Sequence, residues 1–340
     1  MKTLRKLLFP LSVFYGFITW IRNKCFDYGI LKSHIFEIPI ISVGNIRVGG
    51  TGKTPQIEYL INLLKSHKKV AVLSRGYGRK TTGFLMAKNG LTAVDLGDEP
   101  FQYFKNFPEI IVAVDEKRVN GIKQLLQLSH PPEVILLDDA FQHRSVKPGL
   151  SILLTSFDDL YADDFLMPMG NLRELRSGSG RADIIIITKS PENISDKLQN
   201  KIKINLKLKS NQQLYFSAIS YHEVLNGSCK LLTINDLKKY EVLLITGISN
   251  PLPLTEFLSA HEIKFNHLKY KDHHHFNEKD ILQIKHEFDN IASENKIILT
   301  TEKDYVRIFA DLENCYFISI ETIILNKKAD FNQKILNYVG

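Results

Sequence analysis

The segment "IPIISVGNIRVGGTGKTPQIEYL", residues 38–60, passes from an apolar run through a glycine-rich turn into a helical pattern. That succession restricts the fold more than any other part of the chain. A short β-branched run bounded by turn residues reads as a strand buried on both faces. Glycines at 49, 50 and 52 supply a tight turn, and a helix entered from such a turn presents backbone N–H groups that attract anions. Against the pattern G-x-x-x-x-G-K-S/T the stretch ends correctly on Gly52, Lys53 and Thr54, while Arg47 takes the place of the first glycine. The strand before and the helix after supply the context of a phosphate-binding loop. On this reading Arg47, Val48, Gly49, Gly50, Thr51 and Gly52 cradle the phosphates of ATP, Lys53 reaches the β- and γ-phosphates, and Thr54 ligates Mg²⁺. The competing reading is a glycine turn that merely packs closely.

Further apolar runs recur at 70–74, 110–114, 134–137, 151–154 and 183–188, with helical patterns at 56–66 and 117–128 among them. Continuous apolar strands alternating with helices imply a mostly parallel sheet covered on both faces. The expected fold class is therefore an α/β, P-loop NTPase-like three-layer α/β/α core. A second set of strands at 242–246, 263–270, 296–301 and 315–320, with helices at 253–261 and 277–291, predicts a smaller α/β lobe. The expected organisation is an N-terminal helix in 1–35, the P-loop core in 36–225 and the smaller lobe in 226–340. At 340 residues the chain is long enough for two such cores.

The formal charge is +7, but Lys2, Arg5, Lys6, Arg22 and Lys24 all precede the first acid, Asp27. The excess is mostly N-terminal, which argues against a nucleic-acid surface. Residues 7–21 between these cations, "LLFPLSVFYGFITWI", fall short of the ~20 needed to cross a bilayer. Ser12, Tyr15, Gly16, Thr19 and Asn23 recur at helical spacing, which leaves Leu11, Phe14, Phe17, Ile18 and Ile21 on a broad apolar face. This pattern predicts an amphipathic helix at a membrane surface, with Trp20 and the flanking cations at headgroup level. A signal peptide and a plain buried helix are the alternatives; the first lacks a small-x-small cleavage site. Cys25, Cys229 and Cys315 are odd in number and widely spaced, so neither a disulfide framework nor a thiolate metal site is indicated, and a reducing cytoplasm fits.

A phosphate-binding loop needs a carboxylate at the end of another strand to hold its metal. "VILLDDAFQH" supplies Asp138 and Asp139 directly after a strand, where open parallel sheets place their ligand sites, followed by Gln142 and His143. One aspartate there would be only a helix cap; two are harder to dismiss. Arg75 and Arg79 in "SRGYGRK" follow a strand end amid glycines and are positioned to meet phosphate, although basic loops are usually just solvated. Asp98 in "GDEP" reads as a turn residue or a base. The triple histidine 273–275 invites a zinc reading, but three consecutive side chains diverge, and zinc is discounted.

Taken in order, "GNIRVGGTGKTP", "LSRGYGRK", "GDEP", "DDAFQH", "MPMGNLRE", "TGISNP", "DHHHF" and "TTEKD" resemble the tetraacyldisaccharide 4'-kinase family of lipid A biosynthesis. The likeness runs from the N-terminal helix to about residue 307. It implies transfer of the ATP γ-phosphate to the 4'-hydroxyl of an acylated glucosamine disaccharide 1-phosphate, giving lipid IVA. It also implies peripheral attachment to the cytoplasmic face of the inner membrane, with no obligate protein partner. Carried over by residue, Lys53 and Thr54 match the phosphate and magnesium positions, and Asp98 with His273 match the proposed catalytic pair. Asp138 and Glu174 are implied near the metal, Asp139 and His143 near the nucleotide, and Arg75, Arg79 and Arg173 near the acceptor. Ala140, Met169 and Asn171 depart from the commoner pattern, while Arg173 and Glu174 keep it. Two rivals remain: a P-loop NTPase switch that couples hydrolysis to a protein partner, and a membrane-attached nucleotide-binding scaffold. Neither needs Asp98 or His273.

Overall fold

The computed structural model describes residues 5–227, 230–272, 274, 276–308 and 312–340. Its contacts divide the chain into two units, Met1–Ile219 with Thr322–Gly340, and Ser220–Glu321.

The first unit opens with helix α1 (Phe9–Asp27). Strand β1 (Ile40–Gly44) then leads through the glycine loop into α2 (Lys53–Leu64), and β2 (Val70–Ser74) and β3 (Leu85–Met86) follow. Next come the one-turn α3 (Ala93–Leu96), α4 (Asp98–Asn106), β4 (Ile111–Val114), α5 (Arg118–Leu126), β5 (Val134–Asp138), β6 (Leu150–Ser156) and β7 (Ile184–Thr188). Helix α6 (Asp196–Leu206) and strand β8 (Gln213–Tyr221) complete the run. The sheet order is β8-β7-β6-β1-β5-β2-β4-β3, with β15 (Ile320–Ile324) beyond β8. From β8 to β4 every pairing is parallel; β3 runs antiparallel, against β4.

Each apolar run named from the sequence became one of these strands, because strands buried on both faces carry no polar alternation. Along β7, Ile184 and Ile186 join one core with α2 residues Ile57, Leu60 and Ile61, while Ile185 and Ile187 join another with α6 residues Ile202 and Leu206. Period-two alternation thus feeds two helical layers from one strand. The three-layer α/β/α core is as expected.

The second unit holds β9 (Val224–Gly227), β10 (Leu232–Thr233), β11 (Glu241–Thr246), α7 (Leu252–Ala260), β12 (Phe265–Lys269), α8 (Glu278–Asp289), β13 (Lys296–Thr301), α9 (Glu302–Ile308) and β14 (Cys315–Ile318). Its order is β10-β9-β14-β13-β11-β12, parallel from β14 to β12. The motifs "TGISNP" and "TTEKD" meet here: buried Asp304 accepts from the Gly247 N–H at 2.8 Å and from the Thr301 hydroxyl at 2.8 Å.

Set beside the expected 1–35, 36–225 and 226–340, the contacts place the N-terminal helix within the first unit, which ends at Ile219 and resumes at Thr322. The last helix, α10 (Lys328–Val339), belongs to the first unit, with Phe331 and Ile335 fully buried in the core around α2. Phe331 meets Tyr215 edge-on, with ring centroids 5.1 Å apart. Contiguity along the chain cannot reveal a segment that leaves a core and returns to it. We expect Phe331→Ala to destabilise the first unit by about 3–5 kcal/mol through cavity formation, measured by chemical denaturation; a loss under about 1 kcal/mol would contradict this packing.

Helix α1 is amphipathic with its polar face inward. Ser12 and Gly16 are buried, and a Cβ on Gly16 would lie 2.6 Å from Leu166 Cδ1, so a small residue permits the approach. Leu11, Phe14, Phe17, Ile18, Trp20 and Ile21 are 41–63% exposed. Among the described residues no helix is long and apolar enough to cross a membrane.

Candidate active site

The glycine loop is held in place by its neighbours on several sides. Gly44 ends β1 against Phe141, where a Cβ would lie 2.8 Å from Phe141 Cβ. Buried Asn45 donates through Nδ2 to Thr51 Oγ1 at 2.7 Å, closing the loop on itself. From the end of β7, Thr188 Oγ1 donates to the Thr51 carbonyl at 2.9 Å, and Lys189 Nζ donates to the Gly50 carbonyl at 2.6 Å. Gly49 (φ 121°) and Gly52 (φ 76°) sit where side-chain-bearing residues are strained, and Gly52 directly precedes α2. Lys53 and Thr54 therefore open a helix directly from the glycine loop, as the motif requires.

Arg47 behaves differently from the expectation. Its guanidinium pairs with Asp164 at 2.7 Å and Asp159 at 3.0 Å. The departure from glycine at this position is thus a brace for the loop's outer edge, and only its backbone remains for a phosphate.

The aspartates after β5 divide by direction. Asp138 points inward and accepts from Ser74 Oγ at 2.9 Å, and its carbonyl accepts from buried Arg118 Nη2 at 3.1 Å. Asp139 takes a left-handed backbone (φ 44°), which an aspartate tolerates, and turns outward. There it meets Lys53 Nζ at 3.7 Å and accepts from Arg173 Nη1 at 3.2 Å on both oxygens. Burial, and then the neighbouring Asp139 charge, push Asp138 up to about 6. Burial also acts to raise Asp139, but Lys53 and Arg173 together outweigh it and hold its carboxyl below the usual value. His143 is pushed down to about 4 by burial and by Arg118 and Arg75, so it is neutral at neutral pH. Arg118, itself lowered to about 10 by burial, was invisible in the sequence because no motif contains it.

Asp98 begins α4, directly after Gly97, whose φ of 92° and close approach to the Tyr77 carbonyl exclude a side chain. The "SRGYGRK" and "GDEP" motifs therefore cross at two glycines, Gly76 and Gly97. Helix α4 is tied to α2 through Glu58, which accepts from Gln102 at 3.1 Å and Asn106 at 3.2 Å. Arg75 is exposed at the end of β2. Arg79, expected at phosphate, is instead a clamp: its side chain is 2% exposed, pairs with Glu116 and donates to the Gly83 carbonyl. A short, glycine-flanked arginine reads as mobile in sequence, and the carboxylate that captures it lies 37 residues away.

Glu174 also differs from the metal position expected of it. Buried at 3% exposure, it accepts from Asn23 Nδ2 at 3.0 Å, Gln142 Nε2 at 3.0 Å and Arg181 at 2.9 Å. Among the described residues no group of three His, Cys, Asp or Glu side chains is arranged to hold a metal. His273 lies outside the described residues. Its neighbour His274 bonds Asp280 at 2.9 Å and stacks near Tyr270, so this part of the triple histidine pins the start of α8.

A phosphate-binding loop, a lysine and threonine at the following helix, and a carboxylate pair at the adjacent strand define a P-loop phosphotransferase of the kinase type. The family model described as LpxK, tetraacyldisaccharide-1-P 4'-kinase, matches residues 4–340. A tetraacyldisaccharide 4'-kinase of Flavobacterium psychrophilum is 51% identical over 343 residues, covering 100% of this chain and 98% of the relative. One of Bacteroides thetaiotaomicron is 45% identical, covering 99% and 93%. The crystal structure of the Aquifex aeolicus enzyme LpxK in complex with ATP superposes with a TM-score of 0.80 at 30% identity, covering 99% of this chain and all of that one. The chain belongs to the tetraacyldisaccharide 4'-kinase family.

The buried Asp138 carboxylate yields a stability prediction. A carboxyl raised to about 6 stays protonated in the folded state where the unfolded chain, near ~3.9, has released its proton. Stability is therefore lost as pH rises from about 4 through about 6, by on the order of 2–3 kcal/mol. Without divalent cations, Asp138→Asn should be more stable than wild type at pH 7–8 and lose that advantage near pH 4. Equal denaturation midpoints at both pH values would refute the buried-charge reading.

Proposed function

We infer that this chain is an ATP-dependent kinase that phosphorylates the 4'-hydroxyl of a tetraacyldisaccharide 1-phosphate, giving lipid IVA in lipid A biosynthesis. The observation that carries the reading is Asp139 held between Lys53 and Arg173 beside the glycine loop. Phosphoryl transfer demands positioning and charge neutralisation more than covalent chemistry. The two cations here have an anionic partner that an ATP γ-phosphate would replace.

In this reading the amides of Gly49, Gly50 and Gly52 cradle the phosphates, since the Val48 and Thr51 N–H groups donate to the Asn171 and Gly49 carbonyls, and Lys53 swings from Asp139 to the β- and γ-phosphates. Thr54 and Asp138 are the Mg²⁺ ligands. The donor set fits: a buried carboxylate raised by burial gains from a nearby divalent cation. Mg²⁺ when bound supplies neutralisation of charge on the transferred group. Arg173 stabilises the charge that develops during transfer, and Arg75, exposed at the end of β2, meets acceptor phosphate. Neutral His143 is available for hydrogen bonding to the nucleotide. Asp98 accepts the proton of the acceptor hydroxyl, and His273 is assigned to the same step by the family resemblance alone.

Helix α1 supports attachment to a lipid surface. Its exposed aromatic and aliphatic side chains would enter the interface while Lys6 and Lys24 meet anionic headgroups, at roughly 1 kcal/mol per cation near the surface; Arg5 and Arg22 are bonded to the protein's own loops instead. The proposed location is peripheral, on the cytoplasmic face of the inner membrane. A nucleotide switch would hydrolyse ATP independently of lipid; turnover measured with and without an acylated disaccharide in detergent separates the readings.

Two outcomes are expected. Lys53→Ala should lower transfer by roughly a hundredfold or more while the protein still melts cooperatively; near wild-type turnover by the folded variant would defeat the loop assignment. Asp98→Ala and His273→Ala should each reduce kcat far more than they change the KM for ATP. The double variant should lose much less than the product of the single losses, since residues acting as one unit are non-additive. Fully multiplicative losses would leave the base unassigned.

A further inference from the structure

The polar face of α1 is bonded to residues that carry the active-site charges. Tyr15 Oη donates to the Arg173 carbonyl at 2.7 Å, and Arg22 Nη2 donates to the Gln142 carbonyl at 2.9 Å. Asn23 Nδ2 donates to Glu174 Oε2 at 3.0 Å, and Arg144 returns from the site to the Asn23 carbonyl at 2.7 Å. Glu174 in turn accepts from Gln142 Nε2, which also donates to the Asn45 carbonyl at the start of the glycine loop, at 2.7 Å. Arg173 lies between Tyr15, on its backbone, and Asp139, on its guanidinium. A helix that served only for attachment would need none of these bonds.

We propose that α1 is a positioning element of the phosphotransfer site: Tyr15 and Asn23, acting through Arg173 and Glu174, fix the guanidinium of Arg173 against Asp139 and Lys53. The inference rests on the kinase reading above and adds a second role to the helix. Arg173 stands on an irregular segment that is bridged to the loop, through Arg173 N–H to the Ile46 carbonyl at 2.8 Å, and to residues 165–167 through Leu172. Holding that segment from the opposite side is what Tyr15 does. Glu174 is buried and fully engaged, so removing Asn23 strips one of three donors from a charged group in a low-dielectric place. Small displacements of a charge-stabilising group are costly for transfer, because the geometry must be ready before the reaction.

The test is steady-state kinetics of Tyr15→Phe and Asn23→Ala with detergent-dispersed acylated disaccharide. Co-sedimentation with phosphatidylethanolamine–phosphatidylglycerol vesicles and a thermal melt accompany it. Tyr15→Phe keeps the ring and its packing and removes only the donor. We expect each variant to lose roughly five- to tenfold in kcat, with KM for lipid and vesicle binding near wild type. Phe17→Ser and Trp20→Ser, on the exposed face, should instead raise the lipid KM and weaken vesicle binding. If Tyr15→Phe and Asn23→Ala keep kcat within about twofold, or behave like the exposed-face variants, the positioning role is overturned while the kinase reading stands. A wild-type protein without lipid-dependent transfer would overturn both.

Discussion

The site depends on two adjacent carboxylates at the end of β5 being made to face opposite ways. Side by side on a loop, Asp138 and Asp139 would repel and share a single environment. The left-handed backbone of Asp139 turns the chain between them, so that one lies over Ser74 and the Arg118 guanidinium bonds its carbonyl, while the other meets Lys53 and Arg173. Their proton affinities diverge in consequence: burial raises the first, and two cations lower the second. Titratable neighbours pushed apart in this way take different chemical roles. The inner aspartate is a buried carboxyl of raised proton affinity; the outer one is an ionised partner for Lys53 and Arg173 beside the glycine loop.

That division works only if the glycine loop opposite is already formed. A loop of small residues would cost conformational entropy to order on each binding event. Here it is ordered in advance. Arg47 fixes one flank to Asp159 and Asp164, Thr188 and Lys189 fix the other from β7, and Asn45 closes the middle. The sheet order explains the arrangement, since β1 lies between β5 and β6, with β7 one strand further out. Carboxylates therefore approach from one side and the bracing residues from the other, all at the carboxyl ends of parallel strands.

The strands were legible because burial on both faces leaves an unbroken apolar run, and Gly52, Lys53 and Thr54 were legible because their chemistry needs fixed spacing. Asp138 and Asp139 could be found as a strand-end pair, but their opposite orientations could not, since φ at Asp139 is set by the packing around it. The ion pairs of Arg47 and Arg79 were hidden for a common reason. An arginine in a polar loop reads as available, and only the fold shows that Asp164 and Glu116 have captured them. Glu174 was placed near metal by resemblance, whereas its bonds are to Asn23, Gln142 and Arg181. Arg118, Thr188 and Lys189 carried no local signal. The return of α10 to the first core was hidden too, because the chain between holds an entire second unit.

Helix α1 shows why an amphipathic pattern fixes two faces without saying which one the protein takes. The usual outcome buries the apolar stripe. Here Ser12 and Gly16 allow a close approach that larger residues would block, and Tyr15 and Asn23 find buried acceptors on the other side. Each such hydrogen bond contributes only about 1 kcal/mol net, with more for the bond to the Glu174 carboxylate. Burying Phe14, Phe17, Ile18 and Ile21 would release more than that, at roughly 1.5–3 kcal/mol per side chain. The polar docking therefore wins only if the apolar side chains are removed from water in another way. Under the proposed function an acylated, headgroup-rimmed surface would do so, and the bonds that orient the helix would then be the same ones proposed to position Arg173.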